Sequence, residues 1–188
     1  MIPSPVSGFR TKRGVSYLTS TLLWLAIILH AQTVASAKIE VLYAPNDAPL
    51  DRVVTLYHHA KRYIYLSVYG FTYPRAVQAL LAAKKRGVDV RMLTDQERAQ
   101  EGKQHTALQT LRLAGIPIRV NQHDGFMHLK QVVIDDEINT SGSMNHTTSG
   151  NSYNDERLDI ITDRAISLKA REQFLSMWND RVRFAEWK

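Results

Sequence analysis

From Ile39 onward, short runs of β-branched and aromatic residues alternate with longer stretches whose apolar positions recur at helical spacing. Ile39–Tyr43 reads as a strand, and Pro49–Lys61 as a helix with proline in its first turn and Val53, Val54, Leu56, Tyr57 and Ala60 on its apolar side. Tyr63–Tyr69 is a second strand. Pro74–Arg86 carries Ala76, Val77, Leu80, Leu81 and Ala83 on one helical face, ends in Lys84, Lys85 and Arg86, and stops at Gly87. Basic residues in a last turn, followed by glycine, are a helix terminus. Val88–Leu93 and Ile116–Val120 are further strands, with a helix over Thr106–Ala114 between them. The polar stretch Asp95–His105 is expected to be a mobile loop. Strands over Met127–Asp135, Glu137–Ser141 and Leu158–Thr162 follow, and a helix over Ala165–Val182 closes the chain with Phe174, Leu175 and Trp178 toward the core. The alternation specifies one α/β domain.

The first 37 residues depart from this pattern. Arg10, Lys12 and Arg13 precede the apolar run Leu22–Leu29, and Ala35-Ser36-Ala37 follows, which is the layout of a secretory signal cleaved before Lys38. An uncleaved anchor is the alternative, but Thr19, Ser20, His30, Gln32 and Thr33 interrupt the apolar stretch. Either reading makes residues 38–188 an exported domain, periplasmic or secreted, and with the signal cleaved no stable membrane association is expected. The three basic residues of the leader account for half of the chain's net charge of +6. The remaining domain is mildly basic, which suits a polyanionic substrate without demanding one. The 188-residue chain, 44% hydrophobic, has no cysteine, so packing must stabilise it and thiolate chemistry is excluded.

The candidate chemistry lies in the final third. His128, Lys130, Asp135, Gly142, Ser143 and Asn145 stand in the order H-x-K-x4-D-x6-G-S-x-N, which occurs once. Alternate residues of a strand share a face, so His128 and Lys130 project together, with Val132 and Ile134 continuing that face inward and Val133 on the opposite one. Gly142 permits close backbone approach, while Ser143 and Asn145 supply neutral donors. With the Lys130 ammonium, these donors suit a phosphate whose charge grows in the transition state, each worth roughly 3 kcal/mol.

On these residues the chain resembles the phospholipase D superfamily, most closely its single-motif bacterial endonuclease (Nuc-like) branch. Tyr69-Gly70-Phe71-Thr72 and Ala82–Val90 are similar to that branch as well, and Glu156 stands where the family carries an acidic partner of the histidine. The resemblance implies a mixed β-sheet flanked by helices on both faces, one phospholipase D-like half per chain. It also implies that His128 attacks phosphorus to form a phosphohistidine, while the same residue of a second subunit protonates the leaving oxygen and then activates water. Lys130, Ser143 and Asn145 would bind phosphate, Glu156 would orient the imidazole, and Asp135 and Gly142 would be structural. No metal or other cofactor is implied. Half a site per chain implies a homodimer with the site on its twofold axis. A free imidazole titrates near about 6.5, so two copies in opposite charge states predict a bell-shaped rate profile. Gln131 and Arg157 depart from the residues usual in the branch, without touching the inferred chemistry.

The remaining candidates carry less. His58 and His59 read as helix-end residues, and His123 with Asp124 and His128 makes a weak metal set. Lys84-Lys85-Arg86 reads as helix-end electrostatics. Tyr63, Tyr65, Tyr69 and Phe71 read as packing residues, and Tyr73 as a candidate for stacking on a base. Asp124, Gln131, His146, Thr147, Thr148 and Asn151 give the motif polar surroundings, which favours a nucleic acid substrate, DNA or RNA. The alternatives are a phospholipase cutting phosphatidyl head groups, which calls for an apolar rim, and a non-catalytic nucleic-acid-binding relative, which the complete motif disfavours.

Overall fold

β2 (Tyr63–Val68) lies at the centre of the sheet and shows how this chain makes its layers. All six of its residues are buried, yet period two sends them to opposite sides. Ile64, Leu66 and Val68 enter one apolar cluster, while Tyr63 and Tyr65 enter another. The structure, a computed structural model, describes residues 1, 2, 4 and 36–188, of which 36–188 form one compact unit. The secretory leader expected over residues 1–37 lies, apart from its ends, outside the described residues.

Around β2 run β1 (Lys38–Ala44), β3 (Asp89–Thr94), β4 (Ile118–Asn121), β5 (Lys130–Ile134), β6 (Ile138–Gly142), β7 (Glu156–Thr162) and β8 (Phe184–Glu186). The helices are α1 (Pro49–His59), α2 (Pro74–Lys85), α3 (Gly102–Leu113), α4 (Thr148–Ser152) and α5 (Arg164–Asn179). The sheet order is β1-β7-β6-β5-β2-β3-β4-β8. Among the described strands only β2 with β3 and β3 with β4 pair in parallel, each connection carrying a helix, so the sheet is mixed as expected.

Helices α1, α2 and α3 cover one face through Leu50, Val53, Tyr57, Ala76, Leu80, Leu108 and Leu111. Helix α5 covers the other, where Phe174 stacks between Tyr65 and Trp178 at centroid distances of 4.7 and 5.6 Å. Both faces are therefore flanked. Local signals place the helix ends: Pro74 opens α2, Gly87 closes it at φ 86°, and the Asp163 carboxylate accepts the Ile166 N–H at 2.8 Å to cap α5.

Several boundaries differ from those read in the sequence. Asp95–His105 is packed rather than a free loop: it holds a 3-10 turn at Arg98–Gln100 and the first turn of α3, and Asp95, Ala99 and Gln104 are buried. Helix α5 ends at Asn179, short of Val182, because Phe184–Glu186 leaves to pair with β4 as an edge strand. The ladder of β5 begins only at Lys130, with His128 in the extended segment just before it.

Candidate active site

Lys130 opens β5 opposite Val68 of β2, and the pairing runs one step further through the Tyr69 N–H, which donates to the Leu129 carbonyl at 2.9 Å. His128 and Lys130 therefore share a face, while Val132 and Ile134 continue it into the main core and Val133 joins the opposite cluster. The two reactive side chains differ in exposure: His128 is open to solvent and Lys130 is only 9% exposed. The Lys130 Nζ lies 2.8 Å from Nδ1 and 2.9 Å from Nε2 of His128, and it donates to the His128 carbonyl at 2.9 Å. Burial holds the Lys130 ammonium below its ordinary pKa, with the charge of Glu156 acting in the opposite sense. Tyr69 packs its ring 4.7 Å from the His128 ring and 5.4 Å from Nζ.

The second half of the set follows β6. A Cβ on Gly142 would collide with the Arg157 carbonyl oxygen of the adjacent β7, so glycine is required by close approach. The Ser143 hydroxyl donates to Glu156 and accepts the Arg157 N–H at 3.2 Å, and the Asn154 amide donates to the other Glu156 oxygen at 3.3 Å. Glu156, expected to orient the imidazole, is thus engaged by Ser143 and Asn154, and within one chain its hydrogen bonds do not include His128. Asn145 accepts the Gly70 N–H on Oδ1 at 3.2 Å. That bond sets the amide so that its NH2 group remains to donate. Asp135 sits at the far end of β5, and its carboxylate accepts the N–H groups of Lys61, Arg62 and Tyr63 at 2.7, 2.8 and 2.9 Å. It ties the start of β2 to the end of β5, at a distance from the chemistry.

Three positioning residues escaped the sequence reading. Buried Asp95 accepts the Met127 N–H at 3.1 Å on one oxygen and the Glu97 and Arg98 N–H groups on the other, which fixes the segment leading to His128. Buried Gln104 donates to the Tyr69 carbonyl at 3.0 Å and accepts the Phe71 N–H at 2.8 Å, clamping the turn that presents Tyr69 and Gly70. Tyr69 reads in the sequence only as a packing residue. A polar residue directly after a hydrophobic strand, as Asp95 is after β3, was the one available signal.

Other expectations need correction. Tyr73 is 7% exposed and donates to Asp51 at 2.5 Å, so it is not free to stack on a base. His146 and Asn151 are buried and do not form a polar rim, the Asn151 Oδ1 accepting the Leu50 N–H at 2.8 Å at the start of α1. Asp124, Thr147 and Thr148 remain at least partly exposed, and the exposed Phe126 packs its ring 6.0 Å from that of Tyr69, which lies against His128.

His146 follows the motif and is fully buried, with no partner for either ring nitrogen among the described residues. Its backbone links Gly70 and Thr72. Burial pushes its pKa down to about 4. Between that value and the free value of about 6.5, the unfolded chain binds a proton that the folded chain refuses, so stability is intact above about 6.5 and falls by up to about 3 kcal/mol as the pH drops toward 4. His146→Phe should flatten that part of the dependence, read as urea midpoints at pH 7 and 4.5. Equal slopes in both proteins would assign the acid sensitivity elsewhere.

Residues 53–178 match the family model described as cardiolipin synthase, PLD-like domain. Mitochondrial cardiolipin hydrolase of Xenopus tropicalis is 33% identical over 136 residues, which cover 72% of this chain and 63% of that protein, less than two thirds of its length. The mouse protein of the same name is 30% identical over 178 residues, 93% of this chain and 79% of that one. Among solved structures, the phospholipase D family member Nuc from Salmonella typhimurium superimposes with a TM-score of 0.75 at 27% identity, covering 81% of this chain and 99% of that one.

Proposed function

Because the chain belongs to the phospholipase D superfamily, in its single-motif Nuc-like branch, we propose that it is an exported, metal-independent endonuclease that hydrolyses DNA or RNA in a site shared by two copies. The observation that carries this reading is the buried Lys130 ammonium held against both ring nitrogens of exposed His128, beside the free donors of Asn145. This is a preset cradle for one phosphate, and it contains one imidazole where the reaction needs two.

His128 of one copy attacks phosphorus, and the bond to the leaving oxygen breaks with its electron pair going to that oxygen. The same residue of the second copy supplies the proton. That second imidazole then takes a proton from water, whose oxygen attacks phosphorus and releases the first His128. Lys130 and Asn145 stabilise the charge growing on the non-bridging oxygens. Ser143 and Glu156 form a coupled pair at the rim, through which the carboxylate acts on this site. Signal cleavage and a periplasmic or secreted location are part of the proposal. No helix among the described residues is long and apolar enough to cross a membrane.

The exposed Phe126 side chain, packed against Tyr69, favours a second reading, a phospholipase D-type hydrolase of phosphatidyl head groups that rests this residue on a lipid surface. The curated cardiolipin hydrolases point the same way. One assay separates the readings: purified protein is incubated in excess chelator with supercoiled plasmid and, in parallel, with phosphatidylglycerol or cardiolipin vesicles. Nicking that survives the chelator and peaks near neutral pH is the expected result. Intact plasmid with release of lipid head groups would establish the second reading, and a requirement for added metal would end both.

A further inference from the structure

A cleft of about 860 Å³ opens beside the phosphate cradle, and Asn145 and Asn154 belong to its wall. Its volume falls within the ~300–1,000 Å³ typical of small-molecule sites. Both asparagines are tied to the chemistry, Asn145 as a phosphate donor and Asn154 through its bond to Glu156. The opposite wall is the exposed side of α3, with Lys103, Thr106 and Thr110, and Val77 and Ala107 provide a small apolar floor.

The hydrogen-bonding state of this wall defines its ligand. Thr106 donates its hydroxyl proton to the Gly102 carbonyl at 3.0 Å, and Thr110 donates to the Thr106 carbonyl at 2.9 Å. Their donors are consumed by the helix, so their lone pairs are what they can offer the cleft. The Thr147 hydroxyl is bonded in the opposite sense: it accepts the Gly150 N–H at 2.9 Å, so its proton remains to donate. Arg98 and Glu101, which also line the cleft, neutralise each other as an ion pair, and Lys103 has no acidic partner within ion-pair distance among the described residues. The walls therefore offer acceptors from Thr106 and Thr110 and donors from Asn145 and Thr147, which suits a ligand with both donors and acceptors and a flat apolar face, with one cation at the edge for a following phosphate.

We propose that this cleft is a nucleoside subsite that takes one ester arm of the scissile phosphodiester. The inference rests on the proposed function and extends it. In a site shared across a twofold axis, each copy contributes the same cleft, one to each arm of the diester. The two arms of a nucleic acid diester are both nucleosides, whereas a phosphatidyl diester has one polar and one acyl-bearing arm. Identical polar clefts match the former.

The test is Thr106→Trp in the full chain, since Thr106 is exposed and an indole there fills the cleft without entering the core. KM for a short oligonucleotide should rise about tenfold, equivalent to about 1.4 kcal/mol of lost binding, while kcat/KM for methyl p-nitrophenyl phosphate stays within about twofold. Thr106→Val, which removes the acceptor without filling space, should give a smaller rise of the same kind. Unchanged oligonucleotide kinetics, or equal losses on both substrates in both variants, overturns the assignment. So does slower head-group release from phosphatidylglycerol vesicles with oligonucleotide turnover intact, which would give the cleft to a polyol. Failure of the nuclease reading looks different: the unsubstituted protein then turns over the small diester and no oligonucleotide, which removes the subsite along with it.

Discussion

Replacing His128 with alanine is expected to lower kcat for nucleic acid hydrolysis by about four orders of magnitude or more, because the nucleophile and the acid are the same residue in two copies. Folding should be unaffected. His128 is exposed, and the neighbours it touches, Tyr69 and Lys130, are held by other bonds. The informative form of the experiment is a mixture. When His128→Ala and unsubstituted chains are refolded together in equal amounts, about a quarter of random dimers carry two histidines, so activity per unsubstituted chain should fall to about half. Chains that each hold a whole site would keep their full activity in the mixture. The outcome therefore reads the shared site directly. A substrate that still binds the His128→Ala protein would add that Lys130 and Asn145 cradle phosphate without the imidazole.

Asp135→Ala should act on stability and leave the chemistry of the folded fraction unchanged. The carboxylate accepts three consecutive backbone N–H groups, from Lys61, Arg62 and Tyr63, at the point where the chain enters the central strand. Removing it leaves those donors to partial solvation, and Asp135 also holds φ at 56°, a conformation that aspartate and asparagine tolerate better than alanine. Together these terms come to about 3 kcal/mol, or a fall of about 10 °C in Tm for a domain of this size. Asp135→Asn keeps an acceptor and the tolerance for positive φ, so about half that loss is expected. Calorimetry of the three proteins decides the matter. A large fall in kcat at unchanged Tm would place Asp135 in the chemistry instead.

The contrast between these two residues explains how much was legible in the sequence. Both belong to one short motif, and spacing made the neighbourhood of His128 and Lys130 predictable, since alternate residues of an extended chain must share a side. The helix ends at Pro74 and Gly87 and the two-sided character of β2 followed from equally local rules. Asp135 could be read as structural, but not which donors it serves, because Lys61, Arg62 and Tyr63 reach it only through the pairing of β2 with β5. Gln104 reads as a loop residue because a glutamine between Lys103 and His105 has no apolar signal. It is buried because its amide satisfies backbone groups of Tyr69 and Phe71, a distant turn. His146 and Asn151 misled in the same way, since polarity predicts exposure only when no neighbouring element covers the side chain. The rim keeps Asp124, Thr147 and Thr148 of the polar set expected and adds the exposed Phe126 beside Tyr69.

By itself the sequence determined which chemical groups are available, the order of the strands and helices apart from α4 and β8, and the placement of an imidazole and an ammonium on one face. These depend on covalent spacing and local backbone preference, which act within a few residues. Only the tertiary structure decided that Lys130 is buried and His128 exposed, that Glu156 is engaged by Ser143, and that a cleft leads from Asn145 along α3. Those facts depend on strand register and on which elements cover one another, and such contacts join residues far apart in the chain, where local periodicity carries no information.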